Sequence, residues 1–240
     1  MLFEKLLFIK MIIDLNLKNK QVIVVGGGNE SARKVEALLT QSCEIIVIAD
    51  VVDKSIKKYA EDGKLILERI KINNANYLNK YKNLILILAT TDNRELNREI
   101  VLFGKSIGCY VYAADDPDFS DFSHPSVINV KDLIQVAIST GGRSPLIGKT
   151  LRKILEPIIN SAVSDLIINQ IKLQEQFRAK AKSILLSSGC RKDFLIELMC
   201  DEKVNQLLSA GDIIEAEKLA SELLNLHSNK FSSNGILNRE

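Results

Sequence analysis

The most constraining stretch of this 240-residue chain is Val22-Ile23-Val24-Val25-Gly26-Gly27-Gly28-Asn29-Glu30-Ser31, an unbroken apolar run that meets three glycines and then a helix-forming segment. A run that is apolar at every position suits a strand buried on both faces, as in parallel sheets whose crossover helices cover both sides. The same grammar repeats downstream. The spacing predicts strands at Gln21–Val25, Glu44–Ala49, Leu65–Glu68, Asn83–Ala89 and Tyr110–Ala113, separated by helices over Asn29–Thr40, Asp53–Glu61, a short stretch near Tyr77, and Asn93–Ile107. Five strands alternating with helices define a doubly wound α/β domain.

Such a domain binds ligands at the carboxyl ends of its strands, and the glycine turn indicates which kind. Gly26 permits the tight turn, Gly28 lets the backbone approach a pyrophosphate lying on the helix N-terminus, and Ser31 is small enough for close strand–helix packing. The second strand ends at Asp50, where a carboxylate accepts hydrogen bonds from an adenosine ribose and repels a 2′-phosphate. NAD is therefore expected over NADP, with Asp53 a competing acidic candidate. Thr90 and Thr91 follow the fourth strand at the same edge. Their hydroxyls are placed either to contact the cofactor or, through Thr91 or Asp92, to cap the next helix.

Composition excludes several other classes. Thirty-two basic against 30 acidic residues leave a net charge of only +2, so nucleic acid is not an expected partner. No apolar run approaches the roughly 20 residues of a membrane span. Cys43, Cys109, Cys190 and Cys200 lie far apart without a C-x-x-C pair, which predicts neither a zinc site nor a disulfide framework and points to a reducing, cytoplasmic setting. Residues 1–10 carry Glu4 and lead to no small-residue cleavage site before the first strand, so they read as an optional extension or a misplaced start rather than a signal peptide.

After Ala113 the pattern changes. An acidic, proline-containing stretch from Asp115 to Pro125 leads to β-type runs at Ser126–Val130 and Leu133–Ser139, then to Gly141-Gly142. From Ser144 to about His227 the periodicity is helical, with breaks expected at Pro157, Ser187-Ser188-Gly189 and Gly211, and a disordered tail from Ser228. The domain boundaries expected are 11–114, 115–143, 144–227 and 228–240.

Several motifs in this order and spacing resemble one family. They are Gly26-Gly27-Gly28 with Arg33-Lys34, Ala89-Thr90-Thr91-Asp92 with Asn97, then Asp115, Phe122-Ser123-His124-Pro125, Ser139-Thr140-Gly141-Gly142-Arg143-Ser144-Pro145, and Leu151-Arg152. Together they resemble the siroheme synthase N-terminal family of precorrin-2 dehydrogenases, some of which are also sirohydrochlorin ferrochelatases. The resemblance covers about Met11 to Pro157. It implies a Rossmann-like domain, a small β-containing segment that supplies homodimer contacts, a C-terminal helical domain, and an active site between the Rossmann and helical parts. It further implies NAD-dependent dehydrogenation of precorrin-2 to sirohydrochlorin, with ferrous iron a substrate in those members that chelate. Carried across by position, Asn29, Glu30, Asp50 and Val51 contact NAD, and Asp115 is the essential catalytic residue. Ser31 stands where the family usually has alanine, and Tyr112 where it usually has asparagine. At this length the chain is expected to rely on a separate enzyme to make precorrin-2.

Dehydrogenation needs a hydride acceptor, which is the cofactor, and a group that receives or relays a proton. Asp115 follows a strand at the edge where a nicotinamide belongs. The alternative is a solvated loop carboxylate, since Asp116, Asp118 and Asp121 lie close by. His124 is a second candidate proton acceptor, during metal insertion, against its reading as an ordinary loop histidine. No resident metal site is expected. Ser144 reads as the N-cap of a helix with Pro145 at its first position. Thr140, Gly141, Gly142, Arg143, Ser144 and Arg152, with Lys149 and Lys153 near, form a cationic stretch suited to precorrin carboxylates, a solvated basic helix face being the alternative for the lysines. Two rivals fit parts of this pattern: an NAD-sensing regulatory module without catalysis, like the dinucleotide-binding domains attached to ion channels, and a helical interaction protein on a relic Rossmann domain.

Overall fold

A computed structural model describes residues 11–234. The extension over residues 1–10 and the final 235–240 lie outside the described residues. The chain divides into two compact units, one running to Pro125 and including Ser139–Pro145, the other comprising Ser126–Ile138 and the chain from Leu146 onward.

In the first unit, β1 (Gln21–Val25), β2 (Glu44–Ile48), β3 (Ile66–Glu68), β4 (Leu84–Ala89) and β5 (Tyr110–Ala113) form one parallel sheet in the order β3-β2-β1-β4-β5. Side chains alternate across the sheet, so each apolar strand feeds two cores at once. Val22 and Val24 pack with Val35 and Leu38 of α1 (Asn29–Leu39) and Ile56 of α2 (Lys54–Glu61). Ile23 and Val25 pack on the opposite face with Leu96, Ile100 and Val101 of α3 (Arg94–Ser106) and with Leu78 of the short 3-10 helix Ala75–Lys80. Burial of each such aliphatic side chain contributes roughly 1.5–3 kcal/mol. The chain reverses its direction of travel across the sheet between β1 and β4, which places the topological switch point at the glycine turn.

The acidic stretch after β5 has a structural task. β5 is an edge strand, and its outer backbone groups are satisfied by the following loop: Val111 N–H donates to Asp121 Oδ2 at 3.0 Å, Ala113 N–H to Ser120 Oγ at 2.9 Å, and Asp121 N–H to the Val111 carbonyl at 2.9 Å. This covers the edge against unwanted strand pairing.

In the second unit, β6 (Ser126–Val130) and β7 (Ile134–Ile138) form an antiparallel hairpin. Three residues link its strands: Lys131 and Asp132 are left-handed at φ 51° and 56°, and Leu133 N–H donates to the Val130 carbonyl at 3.1 Å to close the turn. Helices α4 (Pro145–Ala162), α5 (Asp165–Ile184), α6 (Ser188–Cys200), α7 (Glu202–Ala210) and α8 (Ile213–Asn234) follow. Leu173, Phe177 and Ala181 of α5 repeat every fourth residue, as do Ala216, Ala220 and Leu224 of α8, and these faces close on Phe194, Leu198, Val204 and Leu208.

Two helical expectations are corrected. Pro157 lies inside α4 and does not break it; the break falls at Ser164, which caps α5 by accepting from Ile167 N–H. α4 tolerates the missing N–H because its last turns stay exposed, where water can reach the freed carbonyl. Helix α8 continues past Ser228 to Asn234, anchored from behind by buried His227, which meets Glu197 and packs edge-on against Phe194 of α6.

Candidate active site

The glycine turn divides its labour. Gly26 sits at φ +125°, and a Cβ there would lie 2.5 Å from the Thr90 carbonyl oxygen; at Gly27 it would lie 2.0 Å from the Val51 carbonyl oxygen. These two glycines let β1, β2 and β4 converge. Gly28 differs, because a Cβ there would meet nothing within 4 Å. It caps α1 without a side chain, so no side-chain oxygen competes for the first-turn N–H groups. That open approach to a helix N-terminus is what a pyrophosphate requires. The part played by Gly27 was missed from sequence; its only signal was its place in the middle of the glycine run.

The turn opens on a cleft of 710 Å³ lined by Gly26, Gly28, Asn29, Asp50, Val51, Thr90 and Thr91, among others. Asp50 is exposed at the end of β2, and its Oδ1 accepts only from the neighbouring Val51 N–H, at 3.0 Å. The competing Asp53 is taken up as the N-cap of α2, accepting from Ser55 Oγ at 2.6 Å and Ser55 N–H at 2.8 Å. Those bonds hold its carboxyl below the usual range. Thr90 lines the cleft, but its buried hydroxyl donates to the Val25 carbonyl at 2.9 Å and meets Ser31 Oγ at 2.8 Å. It therefore ties β4 to β1 and α1. The cap of α3 is neither Thr91 nor Asp92 but Asn93, whose Oδ1 accepts from Glu95 and Leu96 N–H.

Glu30 does not line the cleft. Its carboxylate turns to Arg33 at 2.6 Å and Lys34 at 3.4 Å. Desolvation raises its pKa, but the Lys34 and Arg33 charges outweigh that and leave it below the usual range. Lys34 is 6% exposed, with its ammonium 4.2 Å above the Tyr112 ring. Burial pushes its pKa down to about 8 despite the Glu30 charge. His124 joins this cluster edge-on, 5.0 Å from Tyr112 and 5.3 Å from Phe122. Although the residue is exposed, desolvation of the packed ring and then the Lys34 charge lower its pKa, so it is neutral at pH 7 and a weak base. The contact of buried Lys34 with half-buried Tyr112 was missed from sequence; the Glu30–Lys34 spacing of one helical turn was the available signal.

Asp115 stands just beyond β5 at the carboxyl edge. Its Oδ1 accepts from Asn97 Nδ2 at 2.8 Å, its Oδ2 lies 3.8 Å from Arg94 Nε, and its side chain is 24% exposed. Its acidic neighbours are otherwise occupied: Asp116 accepts from Phe119 N–H at 3.1 Å, and Asp121 pairs with Lys105 at 3.4 Å. Among the described residues no group of three or more His, Cys, Asp or Glu side chains is arranged to hold a metal ion.

The Ser139–Pro145 turn belongs to the same unit as β1–β5. Gly141 and Gly142 are left-handed, and Thr140 closes the turn by accepting Ser144 N–H on Oγ1 at 3.0 Å and Arg143 N–H on its carbonyl at 3.2 Å. Helix α4 begins at Pro145, immediately after Ser144. Arg152, with Lys149 and Lys153, belongs to the second unit, where Arg152 faces Glu156 at 3.5 Å.

Comparison with known proteins agrees with this geometry. A family model described as "Putative NAD(P)-binding" matches residues 13–126. The chain is 30% identical over 207 residues to siroheme synthase 1 of Aeromonas salmonicida, and 30% identical over 205 residues to the siroheme synthase of Nitrosococcus oceani, covering 86% and 85% of this chain. Over most of its length the chain is similar to these siroheme synthases. It spans 42% of the length of each of these two relatives. A solved structure titled "SirC, precorrin-2 dehydrogenase" shares the fold at a TM-score of 0.61 and 20% identity, covering 87% of this chain and 99% of that one. The cleft fits NAD: an uncapped helix N-terminus beside Gly28 suits the pyrophosphate, and Asp50 suits a ribose. Among the described residues no helix is long and apolar enough to cross a membrane.

Proposed function

We propose that this protein oxidises precorrin-2 to sirohydrochlorin, with NAD as the acceptor. Two hydrogens leave the macrocycle, one as hydride and one as a proton. When bound, NAD accepts the hydride. The chain's own residues do the rest. Gly28 and the first turn of α1 hold the pyrophosphate, Asp50 accepts from the ribose and disfavours a 2′-phosphate, and Asn29, Val51 and Thr91 line the same cleft. Asp115 takes the proton. The observation that carries this reading is that Asp115 stands at the carboxyl edge after β5, held by Asn97, which also binds the cleft-lining Thr91, while Asp116 and Asp121 serve the loop itself. Thr140–Ser144 bind substrate carboxylates.

The protein acts as a homodimer in this reading, supported by α4, where Ile147, Leu151, Ile154 and Ile158 form an exposed apolar stripe at helical spacing. The four free cysteines support a reducing, cytoplasmic setting. Ferrous iron added to the reaction, with siroheme absorbance as the readout, tests metal insertion. Two pyrrole protons must then be accepted, for which Asp115 is the stronger candidate and His124, its pKa lowered, the weaker.

The test of the assignment is Asp115→Asn. It should abolish NADH formation from precorrin-2 under anaerobic conditions while leaving NAD affinity nearly intact; retained turnover removes Asp115 from its role.

A further inference from the structure

We infer that Asn97 is the positioning residue of Asp115, fixing which carboxylate oxygen is free to take the proton. The inference rests on the reading of Asp115 as the proton acceptor. Asn97 lies on α3, one turn past the Asn93 cap, and is 1% exposed. Its Oδ1 accepts from Thr91 N–H at 3.2 Å and Thr91 Oγ1 at 2.7 Å, and its Nδ2 donates to the Thr91 carbonyl at 2.9 Å and to Asp115 Oδ1 at 2.8 Å.

This set of partners permits one orientation only. A backbone N–H can only donate and a backbone carbonyl can only accept, so a flipped amide would oppose donor to donor and acceptor to acceptor at Thr91. The NH₂ group must therefore face Asp115. A donor held against Oδ1 at 2.8 Å stops the carboxylate from turning. It leaves Oδ2 as the unclaimed oxygen, opposed only by the exposed Arg94 of α3; Asp116 and Asp121 of the following loop are turned to Phe119 N–H, Val111 N–H and Lys105. Because Thr91 also lines the cofactor cleft, one buried amide sets the distance between the cleft wall after β4 and the acid after β5. A unique orientation of a buried polar group is the device by which active sites hold a reacting atom in place.

The test compares Asn97→Asp, Asn97→Ala, Asp115→Asn and the swapped pair Asn97→Asp/Asp115→Asn. Rates are taken anaerobically with precorrin-2 and normalised to NAD-binding sites, so that unfolded molecules are not counted. Asn97→Asp sets a carboxylate against a carboxylate and should lower kcat about a hundredfold, with the dissociation constant for NAD within about threefold of the parent. The acid limb of its kcat–pH profile should move to higher pH. Asn97→Ala should lower kcat without that displacement, and it carries the comparison if Asn97→Asp does not fold. The swapped pair restores donor and acceptor between positions 97 and 115 but leaves the Thr91 carbonyl facing a carboxylate oxygen, so it should regain only part of the thermal stability lost in Asn97→Asp, without regaining turnover. Turnover within about threefold of the parent in Asn97→Asp and Asn97→Ala, with Asp115→Asn inactive, would overturn the positioning role and leave the reading of Asp115 standing. An active Asp115→Asn would remove that reading and this inference with it.

Discussion

The two units of this chain hold their polar groups in opposite ways. In the sheet-containing unit several buried polar side chains gather toward one edge, each with more than one partner: Thr90 with Val25 and Ser31, Asn97 with Thr91 and Asp115, Lys34 with Glu30 and Tyr112. In the helical unit the core consists of Leu, Phe, Val and Ala, and its buried histidine, His227, joins two helices. Burying polar groups is expensive unless each finds a partner, so a unit that collects them at one edge is built to present chemistry there. A core of apolar side chains is built for stability.

Substitutions can break this contrast. The largest effect is expected at Asp115, where exchange for Asn should cost about a hundred- to ten-thousandfold in kcat with little change in melting temperature; a matching loss of stability would make Asp115 a structural residue. In the helical unit, Phe194→Ala removes a fully buried ring 6.4 Å from the Phe177 ring. It should cost about 3–5 kcal/mol in denaturant unfolding while the folded fraction keeps its NAD affinity.

Lys34 sharpens the comparison, being a charge retained inside the sheet-containing unit. Its pKa falls from 10.5 to about 8 on folding, so between those values the unfolded chain holds more protons than the folded one, and raising the pH across that window favours folding. Relative to Lys34→Met, the parent should gain about 2–3 kcal/mol from pH 8 to 10.5, measured by urea unfolding. A flat difference would mean that the ammonium is solvated.

Gly28→Ala should weaken NAD binding about thirtyfold, roughly 2 kcal/mol, with little loss of stability, since the added methyl meets only the space for a ligand. Gly27→Ala, with its methyl driven onto the Val51 carbonyl, should lose stability first. The smallest effect is expected at Asp50, where Asp50→Ala should shift the NADP-to-NAD affinity ratio about tenfold toward NADP in calorimetric titration.

The same contrast explains what could be read in the sequence. Unbroken apolar strands, a glycine turn and an acidic residue at the end of β2 are local signals, and the five-strand sheet and its cleft followed from them. What escaped depends on distant partners. Asp121 and Ser120 look like solvated loop residues until β5 is seen to be an edge strand that needs them. Glu30 sits where a cofactor contact is expected, yet Lys34, one turn on, claims it. Asn93 takes the cap of α3 that Thr91 or Asp92 was expected to provide, because the helix starts at Arg94 and Asn93 is the residue directly before it. Pro157 marks a break by its chemistry, but an exposed helix end can carry it. In the helical unit, periodicity located the packing faces without revealing their partners.

The most direct measurement is anaerobic incubation of the protein with enzymatically generated precorrin-2 and NAD, following NADH and sirohydrochlorin against an enzyme-free control for autoxidation. The account predicts NADH and sirohydrochlorin in equal amounts, both dependent on the protein. NAD binding without NADH formation would contradict it and leave a nucleotide-sensing domain in its place.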